Sequence, residues 1–203
     1  MSVIIAGIHT GIGKTVCSAV ICQALGYDYW KPVQAGELDN TDSIFIGRNV
    51  SNTHCIVHAE RYRLTIPASP HYAAAMDGVE IKPGDFVLPK TNNQIVVETA
   101  GGIMSPLSGN FLNIDLMEQL KLPAILVSNN YLGSINHTLL TVDAMQKRSI
   151  PIKGIVFSGH AFASTREFIL QYTKLPLLFS IPQFEKTDAT AIADFAKTVS
   201  IHL

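Results

Sequence analysis

Charge is what this sequence has least of. Only 15% of its 203 residues are charged, and 15 Lys and Arg face 16 Asp and Glu for a formal net charge of −1. No basic stripe runs along it, so nucleic-acid binding lacks its electrostatic footprint. No apolar run approaches the ~20 residues that a membrane helix needs. The first residues carry no basic segment, and their Gly-rich turn (Gly7 to Gly13) comes too early for a secretory leader. A cytoplasmic protein is expected, with no membrane partner. Cysteine is scarce too: Cys17, Cys22 and Cys55 show no C-x-x-C spacing. They read as buried small hydrophobes in a reducing compartment, not as a disulfide frame. The seven histidines (His9, His54, His58, His71, His137, His160 and His202) are scattered. His54 and His58 are four residues apart with no third ligand nearby, which reads as a surface pair. No G-x-S-x-G occurs, which removes the nucleophile-elbow hydrolases.

What is present is apolar, at 47% of residues, and is patterned. A chain of this length reads as one domain, residues 1–203, that buries about 70% of its unfolded surface. Strands are expected at Val3–Ala6, Tyr29–Val33, Gln94–Glu98, Ala124–Ser128, Ile152–Phe157 and Leu177–Ser180. Between them, helical spacing appears at Lys14–Leu25, from a cap at Asn40 or Thr41 through Ile46, and at Tyr72–Met76 after Pro70. It returns at Asn113–Leu120, from Gly133 to about Lys147, at Ser164–Tyr172 and at Asp188–Val199. Residues 51–63 are ambiguous, and 78–91, with Pro83, Gly84 and Pro89, read as loop with a broken helix. Strand and helix alternate, so the fold class is α/β, a mainly parallel sheet with helices on both faces.

The first strand runs into Gly7-Ile8-His9-Thr10-Gly11-Ile12-Gly13-Lys14-Thr15, and a helix follows. Strand, Gly-bearing loop, helix is the order of a phosphate loop. Its backbone N–H groups and the helix N-terminus cradle phosphate oxygens, Lys14 can reach the β- and γ-phosphates, and the Thr15 hydroxyl can ligate Mg²⁺. The strict pattern places its first Gly where Ile8 stands, with Gly7 one residue early. The alternative is an ordinary strand–turn–helix with incidental glycines; the context on both sides favours a P-loop NTPase-like fold. Asp42, near a cap, reads locally as a capping residue or a metal ligand. Glu98 ends a central strand and precedes Gly101-Gly102, a place that suits a metal or its water in an open α/β sheet.

Several motifs together resemble the dethiobiotin synthetases, of the P-loop ATPase class. They are the loop Gly7 to Thr15, Lys31-Pro32-Val33-Gln34-x-Gly36, Asn40-x-Asp42 and Ala68-Ser69-Pro70-His71. Glu98-x-Ala100-Gly101-Gly102 with Ser105-Pro106-Leu107, Leu132-Gly133-x-Ile135-Asn136-His137-Thr138-Leu139-Leu140-Thr141 and Ile181-Pro182 complete the set. They stand in that family's order over nearly the whole chain, and the family also places its first Gly one residue early. The resemblance implies ATP- and Mg²⁺-dependent ring closure of 7,8-diaminononanoate with CO₂ or bicarbonate. A carbamate and then a carbamic–phosphoric anhydride would lead to dethiobiotin, ADP and phosphate. It implies catalytic roles for Lys14, Lys31 and Thr10, and metal ligation by Thr15, Asp42 and Glu98. It places nucleotide on Gly11, Ile12, Gly13, Lys14 and Thr15, with Ser158, Ile181, Pro182 and Gln183 near the base. Substrate would meet Thr10, Lys31, Ala35 and the helix start Gly133-Ser134-Ile135-Asn136. In the family that helix start serves the neighbouring subunit's site, so a homodimer is implied; simple capping by Ser134 is the alternative.

Four departures stand out. Ala35 replaces a common Ser or Thr, and Thr99 a common Gly. Ser158-Gly159 stands where an Asn commonly reads adenine. The 78–91 segment is shorter and more Pro-broken than the helix of many relatives. Two other P-loop readings compete. A cobyrinate- or cobyrate-amidating synthetase needs an ammonia source for which 203 residues leave no room. A partitioning-type regulatory ATPase commonly has a second lysine early in the loop, where this chain has His9, and a basic membrane helix that 188–203 does not resemble.

Overall fold

The computed structural model describes residues 1–160 and 162–201; His202 lies outside them. In chain order the elements are β1 (Val3–Gly7), α1 (Lys14–Leu25), β2 (Asp28–Trp30), β3 (Val33–Ala35), α2 (Asp42–Asn49), β4 (Val57–His58), β5 (Tyr62–Leu64) and α3 (Pro70–Met76). A 3₁₀ turn at Pro83–Asp85 precedes β6 (Ile95–Glu98), β7 (Pro106–Ser108), β8 (Phe111–Leu112) and α4 (Asn113–Leu120). Then come β9 (Ala124–Asn129), α5 (Ser134–Lys147), β10 (Ile152–Ser158), α6 (Ala163–Thr173), β11 (Leu177–Ile181) and α7 (Ala189–Thr198).

Seven strands form one sheet in the order β11-β10-β9-β1-β6-β2-β4, and every pairing in it is parallel. β1 sits at its centre because both its faces are apolar: Val3 and Ile5 enter one core, Ile4 and Ala6 the other. The first core takes Val20 and Ile21 of α1, Ile46 of α2 and Ile192 of α7; the second takes Ala73 of α3 and Ile114 and Met117 of α4. Helices thus cover both faces. β1 pairs with β6 on one side and β9 on the other, while the chain passes from β1 through α1 to β2. Strand order reverses about β1, and the crevice at the carboxyl ends of strands around such a point is where α/β sheets bind ligands.

Most expected elements form within a residue or two of their anticipated ends. The exception in the central region is Tyr29–Val33, which is not one strand. β2 ends at Trp30, and the chain resumes as β3, which pairs with β5 in a separate two-stranded parallel ribbon. Pro32 is the physical reason: it brings no N–H to a ladder and restricts the residue before it. That residue is Lys31, left at the break. The ambiguous 51–63 stretch holds β4 and β5, and the short antiparallel β7–β8 pair was not anticipated. His58 is also more than a surface group. Its Nε2 lies 2.9 Å from Oδ2 of the fully buried Asp28, while His54 is exposed. Cys17 and Cys22 are buried as expected, and Cys55 is half-buried.

Candidate active site

The loop between β1 and α1 turns on two glycines with different jobs. Gly13 has φ 94°, a left-handed conformation that ordinary side chains resist, and a Cβ there would overlap the Ser158 hydroxyl at the end of β10. Gly7 lies under the stem of Lys14, where a Cβ would come 2.8 Å from Cδ. The early glycine of the motif thus makes room for the lysine. Lys14 is buried, and its Nζ donates to the His9 carbonyl at 2.9 Å across the loop it serves. Burial pulls its pKa down to about 8, against the opposing field of Glu98.

Three other elements deliver polar groups to the same spot. Thr15 is the second residue of α1. Asp42 opens α2, whose cap is Thr41: the Thr41 hydroxyl accepts from the Ile44 N–H at 3.1 Å. The capping job expected of Asn40 or Thr41 therefore leaves Asp42 free to face the loop. Glu98 closes β6. The Thr15 hydroxyl lies 2.7 Å from Asp42 Oδ1 and 2.9 Å from Glu98 Oε1. One hydroxyl proton cannot satisfy two carboxylates, so this corner is short of positive charge. Lys31, buried at the β2–β3 break, pairs with Asp42 Oδ2 and lies 3.4 Å from Glu98 Oε1. Burial works to lower the Lys31 pKa, but Glu98 and Asp42 outweigh it and raise it. Burial likewise works to raise Asp42 and is outweighed by Lys31, so its pKa falls. Both stay charged at neutral pH.

Glu98 is fully enclosed, and two residues that the motifs did not flag hold its other oxygen. The Ser18 hydroxyl donates to Oε2 at 2.7 Å and the Tyr29 hydroxyl at 3.0 Å. Burial and the charge of Glu98 raise Tyr29 well above its ordinary value, so it remains a donor. The available signal was periodicity: Ser18 stands three residues after Thr15 on the same helix face, and Tyr29 two before Lys31 on the same strand face.

Thr10, Gly11, Ile12, Gly13, Lys14, Thr15, Lys31, Ala35, Asp42 and Glu98 all line one cavity of about 630 Å³, as do Glu37, Ser69 and Ser105. The remaining expected residues do not line it. Ser158 is buried behind Gly13, beside Ile181 on β11 and Asn129 on β9, and Pro182 and Gln183 are exposed beyond them. Gly133, Ser134, Ile135 and Asn136 begin α5 outside the cavity. Gly133 is the N-cap there, with no side-chain cap hydrogen bond, so the capping role considered for Ser134 is not made. Among the described residues no three His, Cys, Asp or Glu converge as a metal site. Two carboxylates and a hydroxyl form a sparse, hard-oxygen set of the kind Mg²⁺ accepts alongside waters and phosphate oxygens.

A family model described as an AAA domain matches residues 1–191. Solved structures with a similar fold include a ParA family ATPase from Chlorobium tepidum, with a TM-score of 0.58, 14% identity and coverage of 98% of this chain and 100% of that one. The septum site-determining protein MinD of Pyrococcus horikoshii, solved with Mg-ADP, has a TM-score of 0.58 and 16% identity over 98% of this chain and 96% of its own. At that identity the likeness speaks for the fold alone. Sequence relatives are more specific. The ATP-dependent dethiobiotin synthetase BioD of Chlamydia pneumoniae is 41% identical over 195 residues, 96% of this chain and 87% of its own. That of Brucella ovis is 44% identical over 179 residues, 88% and 84% respectively. With a phosphate loop, two facing carboxylates and a buried lysine in one cavity, and with this identity across nearly its whole length, the chain belongs to the ATP-dependent dethiobiotin synthetases.

Proposed function

We propose that the cavity beside the phosphate loop is where this ligase joins 7,8-diaminononanoate and CO₂ into the cyclic urea of dethiobiotin, and that Lys31 recognises the carbamate. One amine of the substrate adds to CO₂ and loses a proton to give the carbamate. A carbamate oxygen takes the γ-phosphoryl group of ATP, releasing ADP. The second amine then attacks the anhydride carbon, closing the ring and expelling phosphate as it sheds its proton. Phosphoryl transfer asks for positioning and charge neutralisation more than covalent help. Lys14 offsets charge on the phosphates, and Lys31 offsets the carbamate and the charge that grows on transfer. Thr10, at the cavity mouth, donates to the carbamate or a phosphate. Thr15, Asp42 and Glu98 would hold Mg²⁺, which when bound supplies further neutralisation of the phosphate oxygens. Ser158, Ile181, Pro182 and Gln183 flank the place of the base.

The α5 start, Gly133 to Asn136, lies outside the chain's own cavity, which supports its use by a second copy in a homodimer. The Ser134 N–H donates to the Tyr131 carbonyl at 2.9 Å, and the N–H groups that follow it in the first turn suit the substrate carboxylate. A cytoplasmic setting with no membrane or nucleic-acid partner belongs to the same reading. No described helix is long and apolar enough to cross a membrane.

The observation that carries this reading is Lys31: a buried cation, outside the phosphate loop, held at the cavity by Asp42 and Glu98. A generic nucleotide binder has no use for it. Lys31→Gln should bind ATP within about tenfold of the parent, ~1.4 kcal/mol. Its dethiobiotin formation should fall by ~10²-fold or more. Nucleotide calorimetry and a product assay on one folded preparation separate the two. Full product formation would remove the carbamate role; lost ATP binding without diamine would make Lys31 a phosphate ligand.

A further inference from the structure

The cavity has five charged side chains, and four of them are committed. Lys14 is tied to the loop, Lys31 to Asp42 and Glu98, and both carboxylates to Thr15. The fifth, Glu37, is exposed on the wall two residues beyond Ala35, and no side-chain hydrogen bond or ion pair engages it among the described residues. Its backbone is unusual. Glu37 has φ 51°, in the left-handed region, although it is neither Gly nor Asn.

The turn that holds it there is anchored on every side. The Gly36 N–H donates to the Leu64 carbonyl at 2.8 Å, and a Cβ on Gly36 would come 2.5 Å from Pro67. The Gln34 side-chain amide donates to the Gly36 carbonyl at 3.0 Å, while its oxygen faces the Asp42 N–H at 3.4 Å. The Asn40 N–H closes the turn on the Glu37 carbonyl at 2.8 Å. The same side chain, Gln34, thus braces both the Glu37 turn and the start of the helix that carries Asp42. The backbone of Glu37 is fixed at the cavity wall in a left-handed conformation, and its carboxylate is left without a partner among the described residues.

We infer that Glu37 is the counter-ion for the substrate's second amine and sets the affinity and orientation of the diamine. This rests on the carbamate role of Lys31. Alkyl amines resemble lysine, with a pKa near ~10, so the amine not converted to carbamate arrives as an ammonium. Lys14 and Lys31 repel it, and Asp42 and Glu98 are already engaged by Lys31 and Thr15. Glu37 is the only acidic group of the cavity that the metal corner does not use. Ala35 adds no hydroxyl on the way to it, and Glu37 is the anionic group there. The pair holds the ammonium within the cavity that Lys31 and the phosphate loop share, and the amine attacks the anhydride carbon once it is deprotonated.

The test is steady-state kinetics with saturating ATP and bicarbonate, on the parent, Glu37→Gln and Glu37→Gly. Losing a charge-assisted contact should raise the KM for diaminononanoate by about tenfold or more in both variants, with a much smaller change in kcat and unchanged ATP affinity. Glu37→Gly relieves the backbone, so it folds at least as well as the parent and still shows the KM defect; a merely structural role would leave its KM normal. The parent's KM should rise with added salt, and the variants' should not. A KM within about twofold of the parent in Glu37→Gln overturns the assignment. Absence of product from the parent in the same assay would instead overturn the carbamate reading and the ammonium with it.

Discussion

The two ends of the proposed nucleotide site are built differently. At the triphosphate end the charged groups are held: Lys14 by the His9 carbonyl, Glu98 by Ser18, Tyr29 and Thr15, Asp42 by Lys31. At the proposed base end the strand tips offer Ser158, whose hydroxyl is turned against Gly13, Asn129 beside it, and an exposed Pro182-Gln183. Preorganised charge is effective where charge develops, because no reorganisation is needed at the moment of reaction. The base undergoes no chemistry, and its end is correspondingly open. The contrast implies that substitutions at the triphosphate end act on rate by orders of magnitude, whereas those at the base end act on preference by small factors.

The largest effect should come from Lys14. Lys14→Ala should lower turnover by at least ~10²-fold, the loss typical of one charge-stabilising donor. Its pH behaviour sharpens this. Without nucleotide the Lys14 pKa is lowered from 10.5 to about 8, so its buried charge costs stability in full below pH 8, and the cost fades as pH rises from 8 to 10.5. Phosphate favours the charged form and moves the pKa back up. ATP binding should therefore take up a proton above pH 8, and affinity should fall there by up to about tenfold per pH unit. Calorimetry in buffers of different ionisation enthalpy reads the proton. Lys14→Ala should bind weakly at every pH with that uptake gone; a folded Lys14→Ala with normal turnover would end the phosphate-loop assignment.

Next in size are the two carboxylates. Asp42→Asn and Glu98→Gln should each weaken apparent Mg²⁺ affinity and slow product formation by ~10- to 100-fold. Glu98→Gln should also lose stability, because a fully buried amide cannot accept from Ser18, Tyr29 and Lys31 as a carboxylate does. Asp42 is partly exposed and should leave the fold nearly unchanged. Mg²⁺ titrations of both variants that overlay the parent's would show that the triphosphate end does not hold the metal at Thr15.

How legible this was in the sequence follows the same division. Parallel buried strands are continuous apolar runs, so β1, β6, β9, β10 and β11 could be read directly, and with them the α/β class. Lys14, Thr15, Lys31, Asp42 and Glu98 sit at strand ends or helix starts, where motif and element boundary coincide, and the structure brings all five to one cavity. Short elements were harder. β2 and β3 have three residues each, too few for a period, and Pro32 inside an apolar run was the clue that the run was broken. β7 and β8 are shorter than any pattern. Ser18, Tyr29 and Glu37 belong to no motif. Ser18 and Tyr29 meet Glu98 across elements separated by tens of residues, and Glu37 reaches the cavity only through its turn, properties of packing that one-dimensional spacing does not carry.

The smallest effect, and the one that most directly tests the contrast, concerns the base. Ser158 lies opposite Asn129 on β9 and Ile181 on β11, with its hydroxyl filling the space that a Cβ on Gly13 would need. That hydroxyl packs the phosphate loop, and even if it turned, one hydroxyl cannot reproduce the paired donor and acceptor with which an amide reads adenine. Ser158 therefore does not supply the bidentate reading that carries ~1–3 kcal/mol of discrimination. ATP, GTP and CTP compared at subsaturating concentration should differ in kcat/KM by no more than about tenfold, ~1.4 kcal/mol. Ser158→Ala should leave the ratios nearly as they are, because the hydroxyl faces the loop and not the base. An ATP preference beyond about a hundredfold would erase the difference between the two ends and require another reader. The candidates are then the backbone groups of Ile181, Pro182 and Gln183. Gln183→Ala decides between them: preference that survives it belongs to the main chain, and preference that vanishes belongs to the Gln183 amide.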